Sequence, residues 1–579
     1  MKNKKNKKKF LNKNQKSFYF QDYIETSLNQ KNYSKSLISD DRIYLMFFVF
    51  FCLISIFSIK IIFLSIQDPK LLNEKREIQY FLPLRRDIVD RNDEILSRNI
   101  KTYHAAIRPS LIKDKDKFLI NIKLHFPNIS QEFLKKKLSD NKYFYLKKRL
   151  TAKEKDKLYF LGEKGIIFEP FQSRIYPHSE LYSHILGQID DDNYGISGIE
   201  NFFDRELKDI KEIKEPLRLT LDTNLQFLIK KELERSIDDF KAIGAASLLM
   251  DIKNGEILSL VSLPDYNINM RRDINNHRYS NKITKSVFEL GSVFKTFTIA
   301  LALEKKILLP NTVIKDIPNN ITCSKYKISE HEKLPKDLSV KDILVRSSNI
   351  GTTIIAQKIG KENFKEFLEK LGLLEKPELE LEEVGTPLDF NWENCKLETV
   401  SFGHGITTTP LQAATAYAAI SNGGYLIKPT LKLDTKKSYL KEKVLSEETS
   451  KEMNLMLREV VTSDNGTASL ANITGFFVGG KTGTAKKNRH GQYSDKKINT
   501  FISVFPMFKP RYVLLVLLDE PKPAPHLIYN YRGKKISVNR DESGWNSVYV
   551  AGKIIKKIGP ILAINNSEFY SNHVVKKTN

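Results

Sequence analysis

At 579 residues the chain is too long for one ordinary domain and long enough to bury sizeable cores. Its 94 Lys+Arg against 69 Asp+Glu give a formal net charge of +25. The excess sits partly in the opening MKNKKNKKKF and otherwise as scattered Lys without an Arg–aromatic stripe, which argues against nucleic acid and for a membrane-flanking tail. Of three cysteines, Cys52 lies in an apolar run, so a disulfide framework and a Cys/His metal cluster are both excluded. Whether Cys323 and Cys395 pair is left open.

In chain order, a basic tail (1–42) precedes the apolar run IYLMFFVFFCLISIFSIKIIFLSI (43–66), long enough to cross a bilayer. A cleaved signal peptide fits less well, because the apolar core is too long and no small-residue cleavage site follows. The run reads as an uncleaved anchor, with the Lys-rich tail held in the cytoplasm and everything after Ile66 across the membrane. Residues 67–215 are polar and mixed. LPLRRDIVDRNDEILSRN predicts a hairpin around an Asp-Arg-Asn-Asp turn, and about 113–164 predicts short Lys-rich surface helices. From 216 the pattern changes. LRLTLDTNLQFLIKKELERSI predicts a strand and a helix, and AIGAASLLMDIKNGEILSLVSLP two strands about Asn-Gly. Helical text fills the middle, and strands return at GFFVGGKTGTAKK, NTFISVFPM and RYVLLVLLDEP before a last helix from about 547 to 557. Strands at both ends of 216–562 predict an α+β domain whose sheet draws on both; 563–579 form a tail.

FELGSVFKTFTIALALEKK places Ser292 and Lys295 one helical turn apart. A lone Ser-x-x-Lys is ordinarily a helix cap with a solvated Lys, yet residues three apart share a helix face, so an amine can reach the hydroxyl. Downstream lie Ser347-Ser348-Asn349 in VRSSNIGTT and Lys481-Thr482-Gly483-Thr484 in VGGKTGTAKK. Each is weak alone. Ser-x-x-Lys, Ser-x-Asn and Lys-Thr-Gly in that order within one domain form the trio of penicillin-binding proteins and class A β-lactamases.

The region from Pro216 to about Pro560 resembles the transpeptidase domain of class B penicillin-binding proteins. RRDIVDRNDEILSRN and RIYPHSELYSHILGQID through GISGIENFFDRELK resemble the family's pedestal, or dimerisation-type, stretches. Asp87 and Asp93 stand where the family usually has Gly. SSNIGTT, SFGHGITTTP and the segment after Thr484 resemble the division-specific branch, whose elongation-specific relative usually has Asp at position 349. The resemblance implies an α+β penicillin-binding/serine β-lactamase-like transpeptidase domain on an extended pedestal, behind a transmembrane helix. It implies a serine-type D-Ala-D-Ala transpeptidase that cross-links septal peptidoglycan and is acylated by penicillin.

The roles it implies are these. Ser292 is the nucleophile toward the D-Ala-D-Ala end of a stem peptide, and Lys295 its base. Ser347 carries the proton to the leaving D-alanine, and Asn349 hydrogen-bonds the substrate amide. Lys481, Thr482 and Thr484 hold the terminal carboxylate, while Gly483 permits close approach. The N–H groups of Ser292 and Thr484 form the oxyanion hole. His404, in the Gly-rich loop, reads as structural rather than acid–base, and no metal or organic cofactor is called for. Implied partners are peptidoglycan stem peptides, β-lactams as inhibitors, the membrane, a polytopic septal glycosyltransferase of the FtsW type and other division proteins. The implied location is the bacterial inner membrane at the septum, single-pass, with the catalytic domain periplasmic. The alternatives kept are an elongation-specific transpeptidase, a β-lactam-binding hydrolase or sensor on the same fold, and a non-catalytic scaffold, which would be expected to have lost a motif residue.

Overall fold

A computed structural model describes residues 40–66, 84–210, 215–270, 279–324, 326–434, 441–489 and 492–565. The tail readings for 1–39 and 566–579, and the start of the pedestal at 67–83, lie outside the described residues. Met1–Leu82 and Pro83–Asn579 are two separate compact units. In the first, helix α1 (Asp40–Ile66) carries the apolar window Ile43–Phe63, 21 residues with none of it buried. It meets the length and composition needed to span a bilayer.

The second unit opens with a five-stranded sheet: β1 (Ile88–Val89), β2 (Ile95–Ile107), β3 (Phe144–Leu150), β4 (Ile166–Ile175) and β5 (Leu217–Arg218). The predicted hairpin is β1–β2. Asp93 adopts φ +65 in its turn, a left-handed conformation that disfavours a residue with a Cβ. Asp90 holds the turn by accepting from the backbone N–H groups of Asn92 and Glu94 at 2.8 and 2.9 Å. Asp87 instead accepts from Arg98 Nε at 2.8 Å.

The Lys-rich stretch forms helices Lys115–His125, Gln131–Ser139 and Ala152–Tyr159 around a small core that includes Phe118, Ile122, Leu134 and Leu138. Strand β3 was not predicted there. Its buried Phe144, Leu146 and Leu150 alternate with Tyr and Lys, a half-buried strand pattern hidden by charge density. Arg85 of LPLRRD and Arg174 of β4 meet on one carboxylate in the pedestal. Buried Glu200 receives Arg85 Nε at 2.9 Å, Arg174 Nε at 2.7 Å and Ser97 Oγ at 3.0 Å. β1 then pairs in parallel with β5, at the start of the next domain.

That domain builds an antiparallel sheet in the order β8–β9–β10–β6–β7 from β6 (Gly244–Asp251), β7 (Ile257–Leu263), β8 (Gly479–Arg489), β9 (Gln492–Phe505) and β10 (Tyr512–Asp519). Strands from both ends of the segment thus share one sheet, as the sequence predicts. Every residue of β6, β7 and β10 is buried, so both faces are covered. Helices α2 (Thr223–Phe240) and α7 (Ser547–Ile564) pack together on one face, and α5 (Pro410–Ser421) and α6 (Glu447–Thr462) on the other. The last helix runs past its predicted end at 557 and through Pro560.

Between β7 and β8 in the chain lie α3 (Lys295–Glu304) and α4 (Asn349–Ile359). Residues 295–303 are all buried, the behaviour of a helix apolar on every side.

Removing Glu200 leaves two buried guanidinium groups without their shared anion. Glu200→Ala is predicted to cost about 3–5 kcal/mol of stability, read as a lowered thermal unfolding midpoint.

Candidate active site

Ser292 lies in a tight 3-10 turn (Gly291–Phe294) that feeds directly into α3, so Lys295 opens the helix and points along the same face. The loop before it is wedged between two backbones. A Cβ at Gly483 would meet the Leu290 carbonyl oxygen at 2.2 Å, and one at Gly403, φ +80, would meet the Gly291 carbonyl oxygen at 2.0 Å. Glycine at these two positions lets the Lys-Thr-Gly strand and the Gly-rich loop close on the Ser292 turn. Gly291 N donates to Gly403 O at 3.2 Å across the second contact.

Two of the predicted side chains converge on the Oγ of a third, Ser347. Lys295 Nζ lies 3.1 Å away and Lys481 Nζ 2.9 Å away. Lys295 also donates to Ser347 O at 2.5 Å and to Asn349 Oδ1 at 2.7 Å. Lys481 also donates to Thr482 O at 3.2 Å and Thr482 Oγ1 at 3.3 Å. Ser347 itself sits at φ +62, a conformation of the kind that surrounding structure must impose and that clusters at functional sites.

Both lysines are 0% exposed. Burial pushes the Lys295 amine down to about 7, against the pull of the Glu330 carboxylate. Burial, and then the neighbouring Lys295, hold the Lys481 amine well below its usual range. Desolvation disfavours the ammonium, and two cations side by side disfavour it further.

Ser292 is half-buried, and none of the three acceptors of Lys295 is its hydroxyl. Thr484 Oγ1 accepts from Ser543 N at 3.2 Å, and the hydroxyls of Thr482 and Thr467 are 3.0 Å apart. Asn349 Nδ2 donates to Ser329 O at 2.9 Å, leaving one N–H and one lone pair of its amide for a ligand.

Sequence reasoning missed a segment that the fold brings in from between the motifs. A hairpin of Asn320–Cys323 and Tyr326–Ser329 delivers Glu330 to the start of α4, and His331 is lowered by burial and by the nearby Lys295. The hairpin is fastened by a Cys323–Cys395 disulfide, Cα–Cα 5.6 Å, which settles the question the sequence leaves open. His404 stacks on Tyr493 at 4.6 Å between ring centroids, while Tyr493 donates to Glu289 Oε1 at 2.8 Å. His404 Nδ1 is 3.5 Å from Glu289 Oε2. No spacing in the sequence marks Glu289, Glu330 or Tyr493.

A hydroxyl on a tight turn, two desolvated amines bridged by a second hydroxyl, and a strand rich in Thr define a site suited to acyl transfer on a serine. Residues 245–539 match the penicillin binding protein transpeptidase domain, and residues 81–217 the penicillin-binding protein dimerisation domain. The chain is 30% identical over 493 residues to a probable peptidoglycan D,D-transpeptidase FtsI of Caulobacter vibrioides, covering 83% of this chain and 82% of that protein. It is 30% identical over 546 residues to the peptidoglycan D,D-transpeptidase FtsI of Buchnera aphidicola, covering 85% and 93%. The fold is similar to crystalline penicillin binding protein 3 of Mycobacterium tuberculosis in complex with aztreonam, TM-score 0.62 at 22% identity, covering 82% and 96%. The chain belongs to the class B penicillin-binding proteins, FtsI type. It is a penicillin-binding serine transpeptidase.

If the Lys295 amine must be neutral to accept a proton, acylation by a fluorescent penicillin is predicted to rise about tenfold per pH unit below about 7 and level off above it. Stopped-time labelling across pH 5.5–8.5 checks this.

Proposed function

We propose that this chain is the membrane-anchored transpeptidase that cross-links stem peptides of septal peptidoglycan during division, through an acyl-enzyme on Ser292. The observation that carries the reading is the pair of buried amines sharing Ser347 Oγ, at 3.1 and 2.9 Å, next to the turn that bears Ser292.

In this mechanism Ser292 Oγ attacks the carbonyl between the two terminal D-alanines, and its proton passes to the neutral amine of Lys295. The tetrahedral oxyanion is received by the N–H groups of Ser292 and Thr484, a contribution of a few kcal/mol in such sites. Ser347 relays the proton to the departing D-alanine. The hydroxyls of Thr482 and Thr484 face the substrate's terminal carboxylate with Lys481 behind them, supplying charge through Thr482 and Ser347. Asn349 offers its remaining amide hydrogen to the peptide. An amine of a neighbouring stem peptide then attacks the acyl carbon, and Ser292 regains its proton. In this reading His404 has no proton to move; its ring packs on Tyr493.

The Lys-rich tail ahead of α1 supports an N-in, single-pass anchor with the catalytic domain in the periplasm. The pedestal and anchor would meet the septal glycosyltransferase of the FtsW type and other division proteins. Asn349, where the elongation branch usually has Asp, favours the division role through the pathway-specific resemblance; an Asp there would also place charge beside Lys295 and Lys481.

The purified full chain, given uncross-linked glycan strands, is expected to yield dimeric muropeptides. Release of D-alanine with tetrapeptide monomers alone would make it a hydrolase. Depletion in the native cell is expected to give undivided filaments, whereas rounded cells that still divide would move the enzyme to the elongation pathway.

A further inference from the structure

The amide ends of α4 and the start of the Ser-x-Asn motif converge on a carboxylate that lies 17 residues upstream of Ser347. Glu330 Oε2 accepts from Asn349 N at 2.8 Å, and Oε1 accepts from Ile350 N at 3.0 Å and Ser348 Oγ at 2.6 Å. One residue earlier, Ser329 O accepts the side-chain amide of Asn349 at 2.9 Å. Ser348 already caps the helix through Gly351 N at 2.9 Å, so the helix has an ordinary cap without Glu330. What Glu330 adds is orientation of the turn from Ser347 to Asn349, whose two functional side chains take the hydrogen bonds of Lys295.

We propose that Glu330 is a positioning residue of the transpeptidase site: its carboxylate fixes the Ser347–Asn349 turn against Lys295 and supplies negative charge to that amine. The inference rests on the reading of Lys295 as the base.

The groups facing Lys295 are Ser347 and Asn349 from the start of α4, Lys481 from β8, and Glu330 and His331 from the segment after the hairpin. Among the charged groups here the carboxylate alone favours a proton on the amine, and the accepting oxygens of Ser347 and Asn349 favour it through their hydrogen bonds; Lys481 and a protonated His331 oppose it. A neutral group at 330 therefore makes Lys295 release its proton at lower pH. It also loosens the turn, since a Gln oxygen cannot accept all three donors that the two carboxylate oxygens accept. A plain helix cap would affect stability and leave the pH dependence of acylation where it was.

The test is the pH profile of acylation by a fluorescent penicillin, measured with unfolding midpoints for the full chain in detergent. Glu330→Gln is expected to lower the plateau rate at least tenfold and to move the ascending midpoint acid by at least half a pH unit. Glu330→Asp, which keeps the charge on a shorter stem, is expected to lower the plateau with the midpoint unmoved. Ser348→Ala, which removes the ordinary cap, is expected to lower the unfolding temperature without moving the midpoint. A Glu330→Gln profile that superimposes on wild type overturns the proposal, as does one reduced only in step with lost folded protein and with its midpoint unmoved. If the wild-type rate does not rise through about pH 7, the Lys295 reading fails first; a wild-type rise with an unshifted Glu330→Gln profile fails the positioning inference alone.

Discussion

Lys295 and Lys481 bring their buried amines, one from a helix and one from a strand, to the same half-buried hydroxyl of Ser347. Two ammonium groups at that distance, both removed from water, repel each other and lack hydration, so the site lowers their hold on protons. Three features of the domain keep that meeting in place. The S-x-x-K helix is buried all round, which fixes the Lys295 stem. β8 is hydrogen-bonded along its length to β9, which fixes that of Lys481. Ser347 takes a left-handed backbone conformation to reach between them.

The fold supplies these parts from distant sequence. The central sheet takes β6 and β7 from the start of the domain and β8 to β10 from its end, with the helices that bear the first two motifs between. The Ser292 turn is trapped between the Lys-Thr-Gly strand and the Gly-rich loop, where Gly483 and Gly403 leave no room for a side chain. A shift of either backbone would be felt at Ser292. The same economy holds at the base of the pedestal, where Glu200 gathers Arg85 and Arg174 and β1 is paired to β5. Buried ions of this kind are costly to break rather than strongly stabilising as such, which makes the junction intolerant of losing one partner.

Much of this was legible in the sequence, because period-two and turn signals are local. β6 and β7 about Asn-Gly and the sheet drawn from both ends follow from such signals, the long apolar helix from its composition, and the three motifs from their order. Strand β3 was not legible, since four of its seven residues are Tyr, Lys or Arg and its apolar alternation needs the neighbouring helices to become a core. The extension of α7 past 557 was also missed; apolar packing carries the helix through Pro560 against its local preference. Glu330, Tyr493 and the Cys323–Cys395 pair were invisible for another reason. Nothing in their spacing differs from surface sequence, and they meet the site through tertiary closure over tens of residues.

The central claim is that this buried pair of amines makes Ser292, and no other hydroxyl, the nucleophile. It is tested most directly by exposing the full chain to benzylpenicillin at pH 7.5, digesting it and locating the added mass by tandem spectrometry. The account predicts one adduct, on the peptide that carries Ser292, and no adduct anywhere once that serine is replaced by alanine. An adduct on Ser347, or labelling that persists without Ser292, would contradict it.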